Sequence, residues 1–198
     1  MAREVVTLYT LFIDTHDKNV LIILYNDGKI LKSENLSTTN KHSEVAMPTI
    51  DKVLSESSIN INDISNIIVV NGPGSFTGER IAVTIAKTFA YSLKVPIRVI
   101  DALTILALGV DDSSEKIVAL EDRNGAFVGK FDSNYKIIDS LQYMNKSMYS
   151  EFKDNNKVNV DIDVDYERVY EFAMTLKELN PHEVKPLYIK GISALNDK

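Results

Sequence analysis

One glycine-rich segment constrains the fold more than any other part of the sequence. The segment reads N-G-P-G-S-F-T-G and occupies positions 71–78. A short apolar run, I-I-V-V at 67–70, comes before it, and a long apolar pattern with helical spacing continues to about Leu93. A buried strand, a glycine turn and a helix in this order are typical of α/β proteins, in which helices cover a largely buried sheet.

The elements around this segment predict a mixed sheet with helices on its faces. Three strands open the chain, and Asp27-Gly28 between the second and third is a strong hairpin signal. Strands and helices then alternate, which gives the order β-β-β-α-β-α-β-α over residues 6–110. This order resembles the ribonuclease-H-like half of actin-like ATPases and sugar kinases. The predicted strands are 6–14, 19–25, 29–36, 67–70 and 97–100, and the predicted helices are 41–57 with Asn40 as N-cap, 78–93 and 102–108.

The second half of the chain predicts a smaller unit. The alternating Asp161, Asp163 and Asp165 resemble a calcium loop but lack the following glycine and distal glutamate of an EF-hand, and we interpret them as a solvated edge strand. We divide the chain into a ribonuclease-H-like lobe, 1–110, and a smaller, divergent lobe, 111–198. The predicted elements of the second lobe are strands at 116–121, 126–131 and 136–143, a polar loop at 145–165, a helix at 166–179 and a last strand at 185–190.

Composition excludes several kinds of function. The 198 residues carry a net charge of −6 and include no cysteine. An acidic chain argues against a broad nucleic-acid-binding surface, although a local basic patch is compatible with it, and the missing cysteines exclude thiol catalysis and disulfides. The N-terminus lacks a signal-peptide pattern, and no apolar stretch approaches the length of a membrane span. We expect a soluble, cytoplasmic protein with no membrane role of its own.

The glycine segment has two chemical interpretations. Backbone N–H groups between a strand and a helix favour an anion, and the residues that could hold a phosphate are Gly72, Gly74, Ser75, Thr77 and Gly78. The segment has neither the lysine nor the magnesium-holding carboxylate of a phosphoryl-transfer loop. The alternative is a tight turn that aims the helix, with Ser75 or Thr77 as its cap. We favour a vestigial phosphate loop that is retained for its shape.

No other group of residues predicts a catalytic or metal site. Asp14 follows the first strand, at the place where actin-like ATPases hold magnesium through water, but the next turn contains no glycine to admit phosphates. We interpret it as a simple strand-end turn. His16, His42 and His182 are far apart in the sequence, and none has a ligand-type residue at i+4. We predict no catalytic residue and no bound metal.

The helix predicted at 78–93 is apolar around most of its circumference. A helix that covers one face of a sheet needs a single apolar stripe, so another part of the chain or a partner must cover its outer side. We predict a partner, because an alanine ladder lets another helix approach closely. The ladder and the large apolar residues beside it are Ala82, Ala86 and Ala90, and Ile81, Ile85 and Phe89.

These residues resemble the TsaB (YeaZ) family, a bacterial subunit of the tRNA threonylcarbamoyladenosine machinery. The core G-P-G-S-F-T-G followed by Arg80-Ile81 is the most specific match. The resemblance implies an actin-like (ASKHA) fold of two lobes, with the second lobe reduced, and no catalysis by the chain itself. Further matches are L-F-I-D-T at 11–15, K-H-S-E-V-A-M-P-T-I-D-K-V-L at 41–54, V-A-L-E-D-R-N-G-A-F-V-G-K-F-D at 118–132, and K-P-L-Y-I-K at 185–190.

The same resemblance implies partners and an interface. Members of this family pair with TsaD, a paralogue that binds nucleotide and metal and transfers the threonylcarbamoyl group to adenosine 37 of tRNA, and TsaE, a small ATPase, joins the pair. No cofactor is then expected on this chain, and ATP or ADP with magnesium is expected on the partner or at its interface. tRNA is expected only through the complex, and a homodimer when the partner is missing. The implied contact residues are His42, Val45, Thr49 and Val53 on the first helix, and Ile81, Ala82, Ile85, Ala86, Phe89 and Ala90 on the second.

The sequence departs from the family pattern at Glu79 and Asp101, and it lacks the metal ligands of the paralogue. Members commonly read G-L-R-I-G where this chain has Gly78-Glu79-Arg80-Ile81-Ala82, so Glu79 could alter the partner contact or form a salt bridge across it. Asp101 stands where Ser or Thr is usual. TsaD-like chains carry a metal-binding His-x-x-x-His pair at the places of Ala102 and Leu106, which cannot ligate a metal. The alternative function is a stand-alone actin-like ATPase or small-molecule kinase.

Overall fold

The protein structure, a computed structural model, describes residues 8–38, 41–111 and 114–189. Its elements in chain order are β1 (Tyr9–Asp14), β2 (Asn19–Asn26), β3 (Lys29–Ser37), α1 (His42–Glu56), β4 (Ile64–Val70), α2 (Phe76–Leu93), β5 (Ile97–Ile100), α3 (Ala102–Gly109), β6 (Lys116–Asp122), β7 (Gly125–Phe131), β8 (Gln142–Asn145), α4 (Lys146–Asn155), β9 (Val158–Asn159) and α5 (Tyr166–Thr175). The strands form two sheets, in the orders β3-β2-β1-β4-β5 and β8-β7-β6-β9.

The first sheet has the ribonuclease-H-like arrangement that the sequence predicts. β1, β2 and β3 form an antiparallel meander, and β4 and β5 continue it parallel to β1. Both faces of the central strands are apolar and buried, because helices cover the sheet on both sides. α1 and α2 pack on one face, and α3 and α5 pack on the other.

The helices of the first sheet lie close to their predicted positions. α1 spans His42–Glu56, and α2 begins at Phe76 rather than Gly78 because Ser75 is its N-cap. α3 runs to Gly109, with Asp101 as its N-cap. The predicted cap Asn40 and the first residues of the predicted strand at 6–14 lie outside the described residues.

The second sheet departs from the prediction after β7. The pairing of β6 with β7 is confirmed, but the predicted strand at 136–143 is wrong, since Ile137 forms only an isolated bridge with Phe131 and β8 begins at Gln142. The predicted loop at 145–165 is also wrong, because α4 starts within it. Tyr149 and Phe152 of α4 pack against this sheet, in an apolar stripe too short to stand out among the surrounding charges.

α5 leaves the second sheet and completes the core of the first. Val169 and Ala173 are buried on the face that α3 also covers, and the Tyr25 hydroxyl donates to the Tyr166 carbonyl at 2.8 Å. The helix ends at Thr175 rather than at 179, because the chain then turns to bridge β5, where the Leu179 N–H donates to the Ile97 carbonyl at 2.9 Å. The division near residue 110 therefore separates the two sheets, while α5 belongs to the core of the first one.

Two further predicted strands are wrong. Residues 185–189 run extended beside the glycine segment, joined to it by hydrogen bonds at Asn71 but without a strand ladder. Residues 161–165 are not an edge strand, because Asp161 has a φ of 53° and Asp165 serves as the N-cap of α5.

Candidate functional site

The glycine segment joins β4 to α2, and Ser75 makes three hydrogen bonds at this junction. Ser75 accepts from the Gly78 N–H through Oγ at 3.3 Å and from the Glu79 N–H through its carbonyl at 2.9 Å. The Ser75 N–H itself donates to the His16 carbonyl at 2.6 Å. The Ser75 side chain thus caps the first turn of α2, and the Ser75 backbone ties this turn to the segment after β1. Thr77 is exposed on the first turn.

Two glycines allow the turn after β1 to lie directly against this segment. A Cβ at Gly74 would be 2.2 Å from the His16 carbonyl oxygen, and one at Gly78 would be 1.9 Å from the Thr15 carbonyl oxygen. The Thr15 hydroxyl fixes this contact by donating to the Gly78 carbonyl at 2.6 Å and accepting from the Ala82 N–H at 3.1 Å. The backbone of the turn after β1 therefore packs directly against Gly74 and Gly78, on the side of the segment that faces β1.

Asp14 is bound by the neighbouring histidine. His16 donates its backbone N–H to Asp14 Oδ1 at 3.0 Å, and its Nδ1 lies 2.6 Å from the same oxygen. Burial acts to lower the pKa of His16, but the Asp14 carboxylate outweighs it and holds this pKa above its ordinary value. The carboxylate at the magnesium-associated position is thus an acceptor within its own turn.

Glu79 is buried within the chain, whereas the sequence analysis considered it part of the partner contact. Its side chain faces the underside of the glycine segment rather than a partner, with 3% of its surface exposed, and a Cβ at Gly72 would be 2.5 Å from its Oε1. Burial raises the pKa of Glu79 to about 7, against the opposing effects of a hydrogen bond from Gly74 and the charge of His16. A sequence signal existed, because Glu79 precedes Ala86 by seven residues and so lies on the buried stripe of α2.

A cleft of about 560 Å³ separates the glycine segment from the second sheet. His42, at the start of α1, is one wall, and its Nε2 lies 2.6 Å from the Asp17 carbonyl oxygen. Charges of both signs face this cleft, so it can accept a polar molecule through hydrogen bonds and paired charges. The charged lining residues are Lys18, Arg123, Asp17, Glu121 and Asp122.

The residues predicted to contact a partner divide into two groups. Six of them are buried inside the chain itself: His42, Thr49, Val53, Ala82, Ala86 and Ala90. The other four are half-buried on the outer side of α1 and α2: Val45, Ile81, Ile85 and Phe89. The alanine ladder therefore sets the approach of α2 to its own sheet, and only the second group reaches the surface.

The chain also covers one side of α2 with its own C-terminal segment. Lys87 Nζ donates to the Val184 carbonyl at 3.0 Å, and the Phe76 ring stacks on Tyr188 with centroids 4.9 Å apart. Another part of the chain, one of the two covers considered for this helix, thus covers this side of it.

Within residues 8–38, 41–111 and 114–189, no three His, Asp or Glu side chains gather as the ligands of a metal ion would. None of the helices in those ranges combines the length and the apolar character needed to cross a membrane. His182 is remote from the other histidines and lies against the Tyr91 ring, with centroids 5.3 Å apart.

The five-stranded sheet, the helices on its two faces and the smaller second sheet define a protein of the actin-like (ASKHA) fold. Among solved structures, YeaZ from Pseudomonas aeruginosa superposes with a TM-score of 0.76, covering 91% of this chain and 99% of that one. The two sequences are 17% identical, so this likeness concerns the fold alone.

Sequence comparison identifies the family. The model of the family described as "TsaD: tRNA N6-adenosine threonylcarbamoyltransferase" matches residues 30–177. The "tRNA threonylcarbamoyladenosine biosynthesis protein TsaB" of Bacillus subtilis (strain 168) is 38% identical over 97 residues, which are 49% of this chain and 42% of that protein. Its counterpart in Escherichia coli (strain K12) is 29% identical over 118 residues, 58% and 51% of the two proteins. The matches span about half the length of these relatives. The chain belongs to the TsaD family and, within it, to the TsaB (YeaZ) proteins.

Proposed function

We propose that this chain is a non-catalytic subunit that pairs with a TsaD-like paralogue in the biosynthesis of threonylcarbamoyladenosine in tRNA. The family match and the similarity to TsaB proteins support the pathway. The observation that carries the accessory role is that Asp14, the carboxylate at the magnesium-associated position, is bound by the backbone N–H and the ring of His16.

The proposed division of labour places the chemistry on the partner. The TsaD-like subunit holds ATP or ADP with magnesium and transfers the threonylcarbamoyl group to adenosine 37 of tRNA. A TsaE-like ATPase joins the pair, and tRNA meets this chain only through the complex, in the cytoplasm.

The proposed partner surface is the outer side of α1 and α2. Ile81, Ile85 and Thr88 share one stripe of α2, because residues four and seven apart lie on the same side of a helix. The first two are half-buried and Thr88 is exposed, and on α1 the Met47 side chain is 45% exposed. An apolar surface of this kind supports pairing with a related subunit, and with a second copy of the chain when the partner is missing.

Reconstitution tests this proposal. Threonylcarbamoyl transfer to tRNA is measured with a TsaD-like and a TsaE-like protein, with and without this chain. We expect transfer only when this chain is present, since it activates the partner. Full transfer without it would overturn the proposal.

A titration of the isolated chain with Mg-ATP tests the rival ATPase or kinase function. We expect no turnover and no micromolar binding, because His16 binds the Asp14 carboxylate and the glycine segment contains no lysine. Micromolar binding with hydrolysis would favour the rival.

A further inference from the structure

A second, smaller cavity lies next to the glycine segment, on the side of the C-terminal segment. Its volume is about 180 Å³. One wall is polar and contains Gly74 and Glu79, and Asp122 lies at another point of the lining. The remaining walls are apolar or aromatic and come from Phe127, Leu187 and Ile189, among others. The lining therefore combines carboxylates with apolar and aromatic side chains.

Glu79 has no ion-pair partner in the part of the chain that the structure describes. The charge of His16 acts on it, but the Nδ1 of that ring is bound to Asp14. The neighbouring Arg80 guanidinium lies 5.0 Å from the centre of the Phe76 ring, another lining residue of the cavity, and forms no ion pair with Glu79 among the described residues. A carboxylate that is 3% exposed and receives one backbone hydrogen bond remains poorly compensated, which is costly in a protein interior.

Asp122 adds negative charge to the same cavity. Its Oδ1 accepts from the Asn124 N–H at 2.7 Å and from the Tyr143 hydroxyl at 3.0 Å, and these bonds hold the carboxylate in place. The buried Glu79 carboxylate and the apolar walls suit a ligand with a positive head and a hydrocarbon stem, since the head gains charge-assisted hydrogen bonds and the stem leaves water.

We propose that this cavity binds a primary alkylammonium group, with the ammonium at Glu79 and the alkyl stem between Phe127, Leu187 and Ile189. A free amine and a lysine side chain on another protein share this chemistry. The inference does not depend on the proposed function, because it rests on the cavity and its charges alone.

A titration of the isotope-labelled full chain with n-butylammonium, followed by NMR, tests the proposal. We expect the amide signals of Gly74, Glu79 and Leu187 to shift together, with a dissociation constant of about 1–10 mM for so small a ligand. n-Butanol, which has the same stem without the charge, should cause no comparable shift. Equal shifts with both probes, or shifts confined to other regions, would overturn the proposal.

Matched variants separate this site from general charge effects. Glu79→Gln should weaken butylammonium binding by about tenfold or more, because it removes the charged acceptor. Glu151→Gln removes an exposed carboxylate from α4 and should leave binding unchanged. A well-dispersed spectrum of Glu79→Gln shows that the fold is retained, and unchanged binding in that folded variant would contradict the proposal.

Further measurements address pH and the source of the ligand. Butylammonium binding should strengthen as the pH rises from 6 to 8, because Glu79 loses its proton over this range. His16 also loses its positive charge as the pH rises, which acts in the same direction. A peptide with one internal lysine, compared with its glutamine counterpart, distinguishes a protein-borne lysine from a free amine. Lys190→Gln should leave butylammonium binding unchanged. A large increase in affinity in that variant would show that a lysine of the chain itself competes for the cavity, and would overturn the proposal of an external ligand.

Discussion

Gly78 sits at the tightest backbone contact of the site, and replacing it should destabilise the protein. In Gly78→Ala the new methyl group would meet the Thr15 carbonyl oxygen at 1.9 Å, so β1 and α2 must move apart. We expect the free energy of unfolding to fall by about 1–3 kcal/mol, as for other overpacked interiors. Urea denaturation measures this change. Thr84→Ala, on the exposed side of the same helix, should change stability by less than about 0.5 kcal/mol.

Glu79 predicts a dependence of stability on pH. Its pKa rises from an ordinary 4.5 to about 7 on folding, so the folded chain binds this proton more tightly than the unfolded chain. The resulting stability is present below about pH 4.5 and is lost as the pH rises to 7, with a total effect of up to roughly 3 kcal/mol. Urea midpoints from pH 4.5 to 8 measure it.

Glu79→Gln provides the comparison for this pH effect. The free energy of unfolding of the variant should not fall between pH 4.5 and 7, and at pH 8 the variant should be more stable than the wild type. The Glu79 charge helps to raise the pKa of His16, so the difference between the two proteins also contains the lost interaction of Glu79 with His16. Parallel pH profiles for the two proteins would show that Glu79 is solvated and not buried.

At the scale of single elements, α5 depends on its N-cap. Asp165 Oδ1 accepts from the backbone N–H groups of Glu167 at 2.9 Å and Arg168 at 3.3 Å. Asp165→Ala should lower the free energy of unfolding by about 1 kcal/mol and speed amide exchange in α5. Asp163→Ala, two residues earlier and also exposed, caps no helix and serves as the control. Equal effects of the two substitutions would contradict a capping role.

The sequence predicted the elements whose signals are local. The first sheet and its helices follow from long apolar runs, the Asp27-Gly28 turn and the glycine segment, and the structure confirms them. α4 was missed because only Tyr149 and Phe152 mark its apolar side among polar residues. The strand predicted at 185–190 failed for a different reason, because extended apolar sequence does not reveal whether a neighbouring strand offers hydrogen bonds.

The candidate site could likewise be predicted only where its sequence signals are local. The cap Ser75 was predictable, since serine before a helix is a strong local signal. The contacts of Thr15 with Gly78 and of His16 with Ser75 join segments about 60 residues apart, and no local pattern encodes them. Glu79 illustrates a conflict between two signals, because a charge predicts exposure while its place on the buried stripe of α2 predicts burial.

At the scale of the whole molecule, the burial of α2 determines which substitutions can test a partner contact. Thr88 lies on the exposed stripe with Ile81 and Ile85, so Thr88→Arg should leave the fold intact and reduce co-purification with a TsaD-like protein by about tenfold or more. Ala86→Arg should instead unfold the chain, because Ala86 is fully buried in its own core. Circular dichroism and pull-down measure the two effects.

The co-purification experiment needs a control for the added charge. Ser150→Arg adds the same charge at an exposed position of α4 and should leave co-purification unchanged. Full retention of the partner by a folded Thr88→Arg protein would place the contact elsewhere on the molecule.

The return of α5 to the first sheet has a consequence for synthesis on the ribosome. When the strands and helices up to residue 109 have left the exit tunnel, Phe12 and Tyr25 still lack the helix that shields them. That helix is made about 65 residues later, which at roughly 5–20 residues per second leaves an apolar face open for several seconds. We expect chaperones to bind the nascent chain during this interval. Release of a truncated chain before α5 is made would give an aggregation-prone fragment and not a folded first lobe.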